Sequence, residues 1–150
     1  MKFRQTDRIT AQERAFVDQQ LSEYNRARGQ VWEPRELGVF VEDEDGAVQG
    51  ALTGETNGLW LKVEYLWVRQ ALRGQKLGGT LLELAEAEAR RRGCRYSFLS
   101  TFQFQAPQFY EKMGYRLVLE LVNYPCKGKR LFYTKTLVPC EGSGEETREM

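Results

Sequence analysis

The chain has 150 residues and a mass of 17.4 kDa, enough for one packed core, and 41% hydrophobic with 29% charged residues is the mixture of a globular protein. Its 22 basic and 21 acidic side chains leave a charge of +1, which provides no field for holding nucleic acid or an acidic membrane surface. Histidine is absent, so Ser/His/Asp and Cys/His triads, a His-ligated zinc and a histidine proton shuttle are excluded, and acid–base work falls to Asp, Glu, Tyr, Lys, Cys or water.

Cys94, Cys126 and Cys140 are widely spaced and form neither a CxxC pair nor a zinc pattern; they read as free thiols of a reducing cytosol. The N-terminal MKFRQTDRITAQ is polar and lacks an apolar signal segment, and no run approaches the roughly 20 apolar residues that a membrane span requires. The expectation is a cytoplasmic protein with no membrane partner, no nucleic-acid partner and no metal.

A short extended start is expected around Phe3. Phe16, Val17, Leu21 and Tyr24 then share one stripe of a helix over 11–28 that Gly29 ends. Leu37, Val39 and Val41 alternate as a strand, Asp45-Gly46 is a hairpin turn, and a second strand covers 47–55. After Asn57-Gly58 a long apolar strand over 59–68 should place Leu61, Val63, Tyr65 and Trp67 on one face. Leu77, Leu81, Leu84, Ala85 and Ala89 recur at helical spacing before Gly93, and 95–101 reads as a strand, so strand, loop, helix and strand form a βαβ unit. A shorter helix over 105–113 ends at Gly114, and strands over 115–122 and 129–137 close the chain as a hairpin. The tail from Pro139 is polar, and frayed in expectation. This order describes one α+β domain over 1–138 with a mixed sheet covered by helices, followed by a flexible tail over 139–150.

Arg73-Gly74-Gln75-Lys76-Leu77-Gly78-Gly79-Thr80 lies where a strand gives way to the best helix. Backbone N–H groups at a helix start have no intrahelical partner, and the macrodipole adds about half a positive charge, so the segment suits an anion such as pyrophosphate. Arg73 and Lys76 add two cations. The loop equally fits a plain βα turn with a solvated basic edge. It is neither a Walker loop, since GxxxxGK[ST] is missing, nor a Rossmann GxGxxG turn.

Two motifs in order resemble the CoA-dependent N-acetyltransferases of the GNAT superfamily. Leu66-Trp67-Val68 followed by Arg73-Gly74-Gln75-Lys76-Leu77-Gly78 resembles that family's apolar strand and [QR]-x-x-G-x-[GA] helix opening, with Lys76 where glycine is preferred. About 30 residues on, Ala106-Pro107-Gln108-Phe109-Tyr110-Glu111-Lys112-Met113-Gly114-Tyr115 resembles its A-x-x-x-Y-[ED]-[KR]-x-G-[FY] helix, with Gln103 where asparagine is frequent. The resemblance covers roughly residues 1 to 137. It implies a three-layer α/β/α fold around a mixed, mostly antiparallel sheet of six to seven strands whose fourth and fifth members, here 59–68 and 95–101, splay apart. It also implies acetyl-CoA as cosubstrate, with pantetheine against the backbone of Leu66, Trp67 and Val68. Pyrophosphate would lie on Arg73, Gly74, Gln75, Lys76, Leu77, Gly78, Gly79 and Thr80. Gln103 and Lys112 join the cofactor-binding set, although Lys112 also fits a solvated surface residue. The implied reaction is direct acetyl transfer to a primary amine of a small molecule or peptide, and a homodimer through the late strands fits the resemblance.

Such a transfer needs a neutral amine, a polarised carbonyl and a proton for the departing thiolate. Tyr110 occupies the family's general-acid position, and a phenol with a reference pKa near 10 stays protonated at neutral pH; it also fits a packing tyrosine beside Phe109. Glu64 is the candidate base. Alternation sets it on the face of Leu66 and Val68, where desolvation among Trp60, Tyr65, Leu66 and Trp67 would raise its pKa, or where it would pair with Lys62. Cys94 reads as core; Trp32, Glu33 and Tyr124 are candidates for the acceptor side. The alternative functions are a non-catalytic acyl-CoA sensor and a structural domain with a fortuitous loop.

Overall fold

The structure, a computed structural model, describes residues 1–139, so Cys140 and nearly all of the expected tail lie outside the described residues. The chain divides into two compact units, Met1–Glu33 and the remainder from Pro34.

In the first unit, α1 (Ala11–Ala27) starts where Thr10 Oγ1 accepts the Glu13 N–H at 3.0 Å, a hydroxyl cap on an otherwise orphan donor. Arg28 lays its guanidinium 3.6 Å from the centre of the Tyr24 ring. The strand expected near Phe3 is not formed. One aromatic residue amid Lys2, Arg4 and Gln5 offers no apolar face that a strand could bury.

The second unit is built from β1 (Arg35–Glu42), β2 (Val48–Asn57), β3 (Trp60–Val68), α2 (Leu77–Arg91), β4 (Tyr96–Phe102), α3 (Gln108–Lys112), β5 (Arg116–Val122) and β6 (Lys129–Thr136). Among the described residues the sheet has six strands in the order β1-β2-β3-β4-β6-β5, antiparallel at every step except β3 to β4. The class is α+β with a mixed, mostly antiparallel sheet. Its parallel step is bridged by α2, as a parallel pair requires. The last strand inserts beside β4 and pairs along its whole length, from Tyr96↔Thr136 to Phe102↔Arg130.

Helix α2 covers one face of the sheet. Leu81, Leu82, Ala85 and Ala89 pack against Leu37, Leu52, Leu61, Val63 and Leu99. Leu84, expected in this stripe, is exposed, and Glu86 is buried instead. The stripe is rotated because Glu86 finds polar partners inside: Lys135 Nζ donates to its Oε1 at 2.9 Å, and the Tyr115 hydroxyl donates to its Oε2 at 2.9 Å. Helix α3 is shorter than the expected 105–113. Ala106 adopts φ +54°, a 3-10 turn spans Gln103–Gln105, and Pro107 caps the helix. No helix among the described residues is long and apolar enough to cross a membrane.

Candidate functional site

Strands β3 and β4 pair only at Trp60↔Tyr96, Leu61↔Ser97 and Lys62↔Phe98. Beyond Lys62 the one keeps its ladder with β2 and the other with β6, so the two separate and a gap opens toward their C-terminal ends. A bulge drives the departure. The β2–β3 register passes from Thr53↔Tyr65 to Gly54↔Val63 and leaves Glu64 without a partner. Opposite it, a Cβ on Gly54 would stand 2.2 Å from the Lys62 carbonyl oxygen, so only glycine allows the two backbones so close.

The bulge also corrects the expected faces of this strand. One extra residue shifts the alternation, so Leu61 and Val63 continue inward into Leu66 and Val68, while Tyr65 and Trp67 turn out to solvent. Glu64 is exposed and makes no ion pair with Lys62. Neither the desolvated pocket nor the pairing expected for it is formed. Along Glu64 to Val68, the edge facing the gap carries backbone groups that no strand among the described residues satisfies.

The loop after Val68 leads into α2 through a 3-10 turn (Gln70–Leu72), Gly74 at φ +89° and Lys76 at φ +63°. Arg73 Nε donates to the Val68 carbonyl at 3.2 Å, tying the guanidinium to the end of β3. Thr80 returns both its N–H and its hydroxyl to the Lys76 carbonyl, at 3.1 and 3.2 Å. Its donors are spent inside the loop, unlike the N–H groups from Gly74 to Gly79, which have no hydrogen-bond partner among the described residues. At Gly78 and Gly79 a Cβ would meet Phe109 and Met113 at an ordinary 3.6 Å. Packing alone therefore does not demand glycine at either position.

Those same contacts bring α3 alongside α2, so the ends of β3, α2 and α3 converge around Val68, Gly78 and Phe109. Tyr110 sits in an aromatic cluster, its ring centre 5.1 Å from Phe109, 6.1 Å from Tyr115 and 6.2 Å from Tyr133. Burial holds its phenol above the ordinary range, and no protein group among the described residues hydrogen-bonds its hydroxyl. A protonated phenol with a free O–H is equipped to donate.

The other candidates are dispersed. Gln103 is exposed in the 3-10 turn, and Lys112 is exposed at the end of α3. Trp32 and Glu33 belong to the first unit. Cys94 is buried, its Sγ–H directed at the Gly58 carbonyl at 3.6 Å; burial pushes its thiol up, with Arg92 opposing. It is a core residue. Cys126 is free and exposed, and no group of three or more potential metal ligands occurs among the described residues. A small cavity lined by Trp60, Tyr96, Arg116, Val118 and Thr134 lies at the paired end of β3 and β4, away from the gap.

Sequence reasoning missed the bulge and Gly54, although a glycine inside a strand was the available signal. It also missed Arg130, which bridges Ser100 and Tyr124 across β4, β6 and the closing hairpin.

Residues 6–115 match the profile of the Acetyltransferase (GNAT) family. A blasticidin-S acetyltransferase of Streptomyces morookaense is 42% identical over 102 residues, 65% of this chain and 75% of that protein. Acetyltransferase Atu2258 of Agrobacterium fabrum is 36% identical over 115 residues, 77% of this chain and 84% of its own. Among solved structures, a protein from Agrobacterium tumefaciens described as an acetyltransferase is similar with a TM-score of 0.84 at 32% identity, over 91% of this chain and 99% of that one. The splayed strand pair, the open helix start and the half-buried Tyr110 thus occur in a chain that belongs to the GNAT family of acetyltransferases, acyltransferases that use acetyl-CoA.

Proposed function

We propose that this enzyme moves the acetyl group of acetyl-CoA directly to a primary amine of a small molecule or peptide within a ternary complex. The observation that carries the reading is the convergence of the unpaired edge of β3 with the N–H groups from Gly74 to Gly79, which have no partner among the described residues, alongside α3, the helix that carries Tyr110. Leu66, Trp67 and Val68 hold the pantetheine arm with strand-like backbone hydrogen bonds in the gap. Gly74, Gln75, Lys76, Leu77, Gly78 and Gly79 receive the pyrophosphate on backbone donors, with Lys76 adding charge, while Arg73, whose own N–H is spent on the Gln70 carbonyl, contributes through its guanidinium. Thr80 shapes the loop rather than donating to the ligand, and Gln103 and Lys112 remain at the rim.

The thioester supplies an activated acyl group, so the protein needs only to position, polarise and move protons. Tyr110 protonates the departing thiolate. Glu64 takes the amine proton, directly or through water, from its exposed place at the bulge. The name of the S. morookaense relative supports a small amine, and an antibiotic in particular, as acceptor. The exposed Cys126 thiol fits a reducing, cytoplasmic setting. A homodimer through β5 is supported by Leu117, Val118, Leu119 and Val122, which stand exposed on an edge strand.

The test follows free CoA thiol release across blasticidin S, aminoglycosides, polyamines and short peptides, with acetyl-CoA titrated calorimetrically in parallel. Saturable binding with release on at least one amine supports the proposal. Binding with no release on any amine leaves a non-catalytic acyl-CoA sensor, and no binding at millimolar acetyl-CoA overturns the site.

A further inference from the structure

Arg130 is fixed more firmly than an ordinary surface arginine, yet no counter-charge meets it among the described residues. It lies on β6 opposite Phe102 of β4, at the open end of the gap, on the face away from α2. Its Nε and Nη2 donate to Ser100 Oγ at 3.1 and 2.8 Å, and its Nη1 donates to the Tyr124 hydroxyl at 3.0 Å. The guanidinium carbon stands 5.1 Å from the ring centres of Tyr124 and Phe132 and 6.0 Å from that of Phe102. Phe102 in turn stacks on the exposed Phe104, with centres 5.4 Å apart and planes 12° from parallel. No carboxylate among the described residues pairs with Arg130; Glu120, on the adjoining strand, pairs with Lys129.

A guanidinium has five N–H donors, so these three bonds leave about two unspent. Both acceptors, Ser100 Oγ and the Tyr124 hydroxyl, are neutral oxygens, and the walls are aromatic. The half-buried cation is therefore pre-oriented and, among the described residues, not neutralised. Planar forks of this kind match a carboxylate, and flanking rings favour a flat group beside it. One strand spacing, about 5 Å, separates β6 from β4, whose other edge borders the gap, so a group bound at Arg130 lies one strand away from the open end of the gap.

We propose that Arg130, braced by Ser100 and Tyr124 between Phe102 and Phe132, is the acceptor-recognition residue and binds a carboxylate that the amine substrate carries next to a planar ring. This rests on the acetyltransferase reading above and narrows its acceptor class to zwitterionic amines. It also gives the chain's aromatic surface a purpose that a polycationic acceptor would not meet, since such an acceptor would be repelled by the guanidinium.

The experiment compares three acceptors that share a primary amine and a ring: 4-(aminomethyl)benzoate, its methyl ester and benzylamine. The wild type is expected to favour the acid by about tenfold or more in kcat/KM, through KM, as a charge-assisted pair requires. Arg130→Gln is expected to remove that preference while keeping turnover of the ester. Equal use of acid and ester by the wild type, or a preference retained in Arg130→Gln, overturns the proposal. Calorimetric binding of benzoate gives a reading independent of turnover: it is expected for the wild type, weakened about threefold or more in Tyr124→Phe and lost in Arg130→Gln. Absence of benzoate binding to the wild type also overturns it. An unchanged acetyl-CoA titration shows that the variants are folded. If no amine at all releases CoA, the acetyltransferase reading fails, while benzoate still decides the carboxylate site.

Discussion

Lys135 Nζ lies 2.9 Å from Glu86 Oε1, and the Glu86 side chain is only 3% exposed, so α2 and β6 are joined by an ion pair inside the core. The second carboxylate oxygen takes the Tyr115 hydroxyl, which also meets Ser97 Oγ at 2.8 Å. Such a pair contributes little over an apolar replacement, but removing one member strands a buried charge at a cost of about 3–5 kcal/mol. Lys135→Met and Glu86→Leu should each lower unfolding free energy by about 3 kcal/mol, and the double variant should recover most of that loss. Urea unfolding of the four proteins checks the cycle; additive losses would contradict it.

Tyr115 makes the same network sensitive to alkali. Burial first, and then the Glu86 charge, hold its phenol far above the ordinary tyrosine range; burial also raises Tyr110 and Tyr133. A group with a raised folded-state pKa keeps its proton in the native state after the unfolded chain has lost it. Stability is therefore complete below about pH 10 and falls as pH climbs beyond that value. Melting temperatures from pH 7 to 11 should drop above pH 10, and less steeply in Tyr115→Phe. Equal slopes would remove Tyr115 from the explanation.

Lys76 carries a left-handed backbone, φ +63°, at the start of α2. That conformation costs a non-glycine residue about 1–2 kcal/mol. Lys76→Gly should relieve part of the strain and raise stability by up to about 1 kcal/mol, yet weaken acetyl-CoA several-fold by removing the ammonium. Thermal melts and calorimetry separate the two effects, and tighter acetyl-CoA binding would contradict a phosphate role for Lys76.

Gly78 separates fold from function still more sharply. A methyl group there meets Phe109 at 3.6 Å, an ordinary contact, but would crowd the free N–H groups of the loop. Gly78→Ala should melt within about 1 °C of the wild type, or higher, while acetyl-CoA affinity falls about tenfold or more. Unchanged affinity would move the phosphates elsewhere.

Much of this was readable from the residues. Hairpin turns at Asp45-Gly46 and Asn57-Gly58, the helical spacing from Leu77 to Ala89, and the glycines at 74, 78 and 79 placed the sheet, α2 and the loop within a few residues. The inward and outward faces of β3 were not legible, because a bulge breaks strict alternation and depends on a cross-strand neighbour, Gly54, that local pattern cannot pair with it. Glu86 was hidden for a related reason. Periodicity assigns carboxylates to the solvent side, and its inward turn depends on Tyr115 and Lys135, 29 and 49 positions away. Arg130 depends on Ser100, 30 positions earlier, in the same way. The start at Phe3 failed because one apolar residue is too little to define a strand.

The central claim is that the open gap and loop hold acetyl-CoA while Tyr110 supplies the proton. The most direct measurement is the steady-state rate of CoA release by Tyr110→Phe, beside its calorimetric affinity for acetyl-CoA. The hydroxyl has no hydrogen-bond partner among the described residues to lose, so the variant should fold and bind acetyl-CoA as the wild type does, with kcat reduced about 10²-fold or more. Wild-type turnover by Tyr110→Phe would contradict the account.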